Sequence, residues 1–501
     1  MRLRSLSAAF VVAIAATVLT ACGGTTAKSG VSGDAGASMI RSGALAYVAV
    51  DSDLSSDEWS KVDDLLKKFP DRDKWLADLK ASLKNGDPSV DYDRDVKGAL
   101  GPEVDVAVVA NGRRPAYVAL TKPDSMDKAK ALVRKLNSDQ SGDDAVMREV
   151  DGWLVISSTQ AMIDQVLKGS ADKSLADDAL FKDATGSLPT DALAKAYVNG
   201  KELNTFLDNL VGGASRTAAA GTNPFSQLGL DKLDWIGAAV DAKDDGIRFE
   251  AGVNGAGSGK VTGTGNPYAS KLISGVPGDA IAFVTFQGTS TTQQIEQLRT
   301  NPQFGPVFRA FERELGMSVE SIVRLFSHEV AFYVRRGPGL PEFSLVLESP
   351  DTQSTLATLD KLAASIAQHL QTRIYTEEQD GVTVKSIGLS RVTVHWAGFD
   401  GRVLLTTAPT GIADYRAGNT KLPDSQEYKD ALDAAGAPDK TGGLIWLDLH
   451  DGAQLIENYL RASGDGVPPR VAADLKPLRS FVAYSSAQGD LAKVSAFLQI
   501  K

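Results

Sequence analysis

The sequence predicts an α+β protein made of two tandem duplicated domains, each a mostly antiparallel sheet with helices packed on one side. Three observations predict it. Short segments rich in Val, Ile, Phe and Tyr alternate with small residues at the strand period. Tight Asp-Gly turns join neighbouring segments, so strands meet as hairpins rather than through crossovers. The same succession of strands, helices and turns runs twice through the 501 residues. Composition agrees: 43% hydrophobic and 23% charged is ordinary globular usage. The length exceeds what one hydrophobic core organises.

In the first half a strand over 42–50 is followed by helical stretches over 55–69 and 71–84. The second half opens with a strand over 276–286 and a helix over 301–315, where Phe304, Phe308, Phe311 and Leu315 share one face. Core packing explains that stripe better than a ligand does. Strands over 101–109 and 115–121 match strands over 326–334 and 341–347. Helices follow, beginning at Asp124 and Asp351. An aspartate at a helix start accepts a free backbone N–H and suits the positive end of the dipole. Asp151-Gly152 and Asp400-Gly401 each feed a strand. Further on, 180–184 corresponds to 427–431, 192–198 to 443–449, and 233–242 to 478–487. Turns at 244–246 and 488–490 close the last hairpin of each half. The halves span 39–254 and 266–501, joined by a Gly-rich linker, 255–265.

The N-terminus differs in character. Arg2 and Arg4 precede an uncharged apolar stretch, 6–19, which has the length of a signal-peptide core and is short for a membrane span. Leu19, Thr20 and Ala21 then lead to Cys22, the only cysteine, and Gly23. This resembles the lipobox of bacterial lipoproteins. The resemblance implies cleavage of a signal peptide, 1–21, and a thioether-linked diacylglycerol on Cys22. It also implies a lipid-anchored position on the extracytoplasmic face of a bacterial cell membrane. Two acyl chains supply on the order of 20 kcal/mol of gross anchoring, at about 0.8 kcal/mol per buried CH₂. Residues 22–38 read as the lipidated cysteine and a flexible Gly/Ser/Ala tether.

One cysteine forms no intrachain disulfide and no multi-cysteine metal site. The net charge of −10 lacks the basic footprint that nucleic acid needs. Loss of Arg2 and Arg4 on cleavage leaves the chain more acidic still, so the membrane is reached through lipid rather than through a basic surface.

The lipobox, the tether and a second half opening Pro277-Gly278-Asp279-Ala280 before an apolar strand resemble a bacterial exported family known only as domain of unknown function 3352. The first half departs from that opening, with Arg41-Ser42-Gly43 in place of Pro-x-Asp. The family carries no known catalytic residues, so the resemblance implies none here.

Motifs that could carry chemistry each fall short. His328, His369, His395 and His450 all lie in the second half. His328-Glu329 begins like a zinc-protease motif, but no histidine follows four residues later. The Gly-rich run 255–262 lacks the first glycine of a phosphate loop and has Val261 after Lys260, so it reads as linker. Asp91, Asp93 and Asp95 alternate like a calcium loop, yet Val96 and Pro102 stand where glycine and glutamate belong. Asp51, Asp53 and Asp57 form a weaker version. No Gly-x-Ser-x-Gly elbow occurs. The tryptophans, Trp59, Trp75, Trp153, Trp235, Trp396 and Trp446, read as core, with ligand-facing roles the alternative. No catalytic, cofactor-binding or metal-binding residue is assigned and no cofactor is expected.

The functional expectation is a non-enzymatic lipoprotein that binds or scaffolds an envelope protein, or carries a small apolar ligand in a cavity. The rival is an envelope hydrolase using His328, His395 or His450. That rival requires a histidine beside a nucleophile or carboxylate in a pocket.

Overall fold

A computed structural model describes residues 30–78, 90–110, 115–138, 144–169, 172–211, 230–256, 266–288, 305–338, 340–390, 392–462 and 466–501. The fold is α+β, and the strand pairings among the described residues are antiparallel. The chain divides into two compact units, Met1–Thr264 with Ala487–Lys501, and Gly265–Ser486.

The first unit contains β1 (Ala46–Asp51), β2 (Glu103–Val109), β3 (Ala116–Thr121), β4 (Val146–Val150), β5 (Trp153–Ser157), β6 (Ala194–Asn199), β7 (Leu233–Lys243) and β8 (Gly246–Gly255). From the far end of the chain it also takes β18 (Leu491–Ile500). Their order across the sheet is β4-β5-β3-β2-β1-β6-β7-β8-β18. The opening strand therefore lies between the second and sixth, with Tyr47 opposite Ala107 on one side and Tyr197 on the other.

The second unit contains β9 (Ala280–Gln287), β10 (Glu329–Arg335), β11 (Glu342–Glu348), β12 (Ile374–Gln379), β13 (Val382–Leu389), β14 (Val392–Phe399), β15 (Arg402–Thr406), β16 (Gly443–Asp448) and β17 (Leu478–Gln488). Their order is β12-β13-β14-β15-β11-β10-β9-β16-β17. Here too the opening strand is flanked by the second and by the one after the helical segment: Phe283 faces Tyr333 and Trp446.

Local sequence explains many details. Asp151-Gly152 and Asp400-Gly401 have positive φ (50° and 79°, 47° and 69°), the backbone that tight two-residue hairpins require. At the ends of β6 and β16, Asn199 accepts from the N–H groups of Lys201 and Glu202, and Asp448 accepts from Asp451. Each unit also buries an edge-to-face aromatic pair: Phe181 with Tyr197 (5.2 Å, 82°) and Tyr428 with Trp446 (5.4 Å, 81°). The helices carrying Phe181 and Tyr428 are capped by Asp178 and Ser425.

Several expectations are corrected. Helices pack against both sheet faces, not one. In β5, Trp153 and Val155 join a core with Ile163 and Phe181, while Leu154 and Ile156 join another with Leu132 and Val133 of the helix Met126–Ser138. In the second unit the helix Thr352–Leu370 packs on Leu347 and Val403. Tyr428 packs on Trp446, whose register places it on the opposite face. The reason is that alternate positions on both faces of these strands are apolar.

The expected tether is too long. Val31, Ala37 and Ile40 are buried, Asp34–Ala37 is a helical turn, and the Tyr47 hydroxyl donates to Gly33 O, so ordered structure begins by residue 31. The second half, expected over 266–501, gives up its last strand: β18 pairs with β8 along its length. Asp351 caps its helix as expected, accepting from Ser354 N. At the matching place it is Ser125, not Asp124, that accepts from Lys128 N. The β12–β13 hairpin has no counterpart in the expected plan, although its turn, Asp380-Gly381, carries the same signal. Most of the Gly-rich linker and Phe304 lie outside the described residues.

Replacing Phe181 or Tyr428 by alanine should each cost about 3–5 kcal/mol locally. The opening free energies of β6 and β16 amides, read by hydrogen exchange, check this. A loss below about 1 kcal/mol at either site would contradict the core assignment.

Candidate functional site

Cys22, the residue expected to carry lipid, lies outside the described residues. The histidines are described, and the fold does not gather them. His369 is exposed in the last turn of the helix Thr352–Leu370. His450 begins the helix Leu449–Ala462 and its Nε2 lies 2.9 Å from Gln454 Nε2. His395 is half-buried on β14 opposite Ser386 and Thr406, and its Nδ1 is buried without a partner. Burial lowers its pKa, against the pull of Glu377. No group of three His, Cys, Asp or Glu residues suited to a metal ion occurs among the described residues. Asp95 instead forms ion pairs with Arg94 and Lys135 at the π-turn Tyr92–Val96. Five tryptophans are buried and Trp75 is partly exposed.

His328 lines a cleft. It has a volume of about 360 Å³ and lies where the chain leaves β11 and enters the helix Thr352–Leu370. Arg324, His328, Glu348, Asp351 and several hydroxyl side chains line it, with Leu325 and Pro350 as its apolar members. Most of its polar groups are committed. Glu348 Oε1 takes Lys271 Nζ at 3.0 Å and its Oε2 accepts from Glu329 N. Burial opposes the charge of Glu348, but Lys271, the Glu329 N–H and nearby His328 hold its pKa below the ordinary value. Ser349 Oγ donates to Thr355 Oγ1, and Ser327 Oγ donates to Arg324 O. Neither of these serines bonds His328, and no hydroxyl of the cleft is hydrogen-bonded to its imidazole among the described residues.

Sequence reasoning missed a second kind of site: buried carboxylates that pin the segment leading into each sheet. Glu329, 1% exposed, accepts from Lys271 N, Leu272 N, Ser270 Oγ and Thr285 Oγ1. In the first unit Tyr47 bonds Asp105 Oδ1 at 2.6 Å and Gly33 O at 3.0 Å. Burial, then Glu103, pushes Asp105 well above the carboxylate range. Asp51, also buried, accepts from Asp53 N and Ser56 Oγ, and Trp59 Nε1 donates to its backbone oxygen. Burial raises Asp51 to about 7 despite those bonds. The only sequence signal for these positions was a charged residue inside or beside an apolar strand.

The family described as Protein of unknown function (DUF3352) matches residues 5–500. The chain belongs to that family. No curated protein matches it. Two solved structures show a weak likeness. One, titled crystal form IV of TP0453, is 11% identical with a TM-score of 0.23, covering 48% of this chain and 83% of that one. The other, crystal form III of TP0453, is 10% identical with a TM-score of 0.24, covering 46% and 93%. Scores this low establish no shared fold. Among the described residues of this DUF3352 protein, no helix is long and apolar enough to cross a membrane.

The Asp51 environment sets a pH dependence. Its folded pKa lies above the ordinary 3.8, so its contribution to stability is complete below that value and lost as pH rises through about 7. Asp51→Asn removes the titration. Relative to the parent, the variant should therefore gain stability between about pH 5 and pH 8, by an amount on the order of a few kcal/mol. Denaturant unfolding at the two pH values measures it; an unchanged difference would contradict the assignment.

Proposed function

We propose that this DUF3352 protein is a bacterial lipoprotein, acylated at Cys22 and held on the extracytoplasmic face of the cell membrane. It binds or scaffolds an envelope partner and performs no reaction of its own. One observation carries the reading: the sole cysteine follows Leu19-Thr20-Ala21 at the end of a charged and then apolar leader. Packing begins by Val31, so fewer residues separate Cys22 from the folded body than the expected tether has. A binding role draws support from Phe286, Phe343 and Ile445, large apolar side chains exposed on one face of the second unit's sheet.

The two units are read as products of one duplication. Support comes from the shared run of strand order, the matched Asp-Gly turns, the caps at Asn199 and Asp448, and the two aromatic pairs. An experimental structure with different strand orders in the two units would remove it.

The hydrolase reading draws on His328 standing near Glu348 in a cleft. Against it, the Ser327 and Ser349 hydroxyls donate elsewhere and Glu348 is spent on Lys271 and the Glu329 backbone. An apolar cargo finds little support in that cleft, where Leu325 and Pro350 are the only apolar residues.

Cys22→Ala should shift the protein from the membrane fraction to the medium, or leave it as uncleaved precursor. Fractionation and immunoblotting of cells expressing each form decide it. Unchanged distribution and processing would overturn the anchor.

A further inference from the structure

The polar cleft of the second unit retains functional groups that the fold does not use. Arg324 is exposed on its rim, and its guanidinium has no partner among the described residues. The His328 imidazole is exposed beside it and has no hydrogen-bond partner among the described residues, although the His328 backbone oxygen accepts from Gly288 N. Ser354, on the first turn of the helix Thr352–Leu370, has its N–H held by Asp351, while its hydroxyl has no partner among the described residues. The two carboxylates are in the opposite condition. Glu348 is neutralised by Lys271, and Asp351 is occupied in capping its helix. The helix end is therefore already satisfied, and Arg324 is the one cation lining the cleft that has no ion-pair partner among the described residues.

Donor geometry narrows the ligand. A guanidinium fork, an imidazole and a hydroxyl arranged around one cleft match an anion with several acceptor oxygens pointing in different directions. A tetrahedral phosphate has that form. No Phe, Tyr or Trp lines the cleft, so the broad platform on which a bare sugar ring stacks is missing. Leu325 and Pro350 are the only apolar residues of its lining, too few to sheath an acyl chain. At about 360 Å³ the space admits a phosphate with a small polyol and excludes a large polymer except at its end.

We propose that the cleft formed by Arg324, His328 and Ser354 binds a phosphate ester, with Arg324 gripping the phosphate oxygens and the surrounding hydroxyls meeting a polar substituent. The ester can belong to a lipid headgroup or to a free metabolite; the chemistry that the cleft reads is the same. This inference goes beyond the lipoprotein reading and does not depend on acylation at Cys22.

The test uses the full chain in a non-ionic detergent. Calorimetric titrations with glycerol 3-phosphate and with dihexanoyl-phosphatidylglycerol represent the two sources, and dihexanoyl-phosphatidylcholine tests whether headgroup identity matters. Saturable binding of at least one of the first two is expected, weakened about tenfold or more by Arg324→Gln and less by His328→Gln. Arg309→Gln, outside the cleft, should leave it unchanged. Binding of glycerol 3-phosphate alone identifies a free ester as the source; binding of the lipid alone identifies a headgroup. All the substituted side chains are partly or fully exposed, and unchanged thermal melts would show that the variants fold. Absence of saturable binding to both probes, or binding insensitive to Arg324→Gln, would overturn the proposal.

Discussion

The structure depends on the placement of one strand in each unit. β1 is inserted between β2 and β6, and β9 between β10 and β16. Neither pairing can be completed until chain far downstream has arrived, so each sheet closes through non-local contacts, the costly kind in loop entropy. Once closed, the opening strand is covered on its hydrogen-bonding edges and its inward residues are locked. Tyr47, Tyr197 and Phe181 meet in one core, and Phe283, Trp446 and Tyr428 meet in the other. The helices then occupy whatever apolar stripe each sheet face presents. The same logic draws β18 onto β8: an eleven-residue β7 and a ten-residue β8 would otherwise leave a long edge unpaired.

A closed sheet with apolar faces makes any buried charge expensive, and this protein uses that expense to fasten its lead-in segments. Glu329 is satisfied only while residues 270–272 lie against it, and Tyr47 bridges Asp105 to Gly33. In the first unit the fastened segment immediately follows the stretch that would lead to the lipid. Ile40 and Arg41 add bridges to Leu167 and Ser174. The second unit has the same arrangement, with Pro277 bridged to Lys421.

Much of the fold was legible because hairpins are written locally. Asp-Gly at 151–152 and 400–401 announced its turns, and alternation announced the strands they join. Asp351 was read correctly as a cap. What escaped was decided by partners distant in sequence. No local signal says that the last strand should pair with β8, that both faces of β5 will be covered, or that Val31 will find a core. The β12–β13 hairpin was missed for another reason: its Asp380-Gly381 turn was present, but the plan of the first half left no place for it. The cleft was half legible. His328 stood out as a residue, whereas Arg324 and Ser354 became neighbours of it only through folding.

The biological reading rests on covalent chemistry at a single side chain, and mass spectrometry addresses it directly. The protein should be purified from bacterial membranes, digested, and its N-terminal peptide sequenced by tandem fragmentation. The account predicts a peptide starting at Cys22 whose first residue carries the mass of a thioether-linked diacylglycerol. A mature peptide with an unmodified Cys22, or one that begins at another residue, would contradict it.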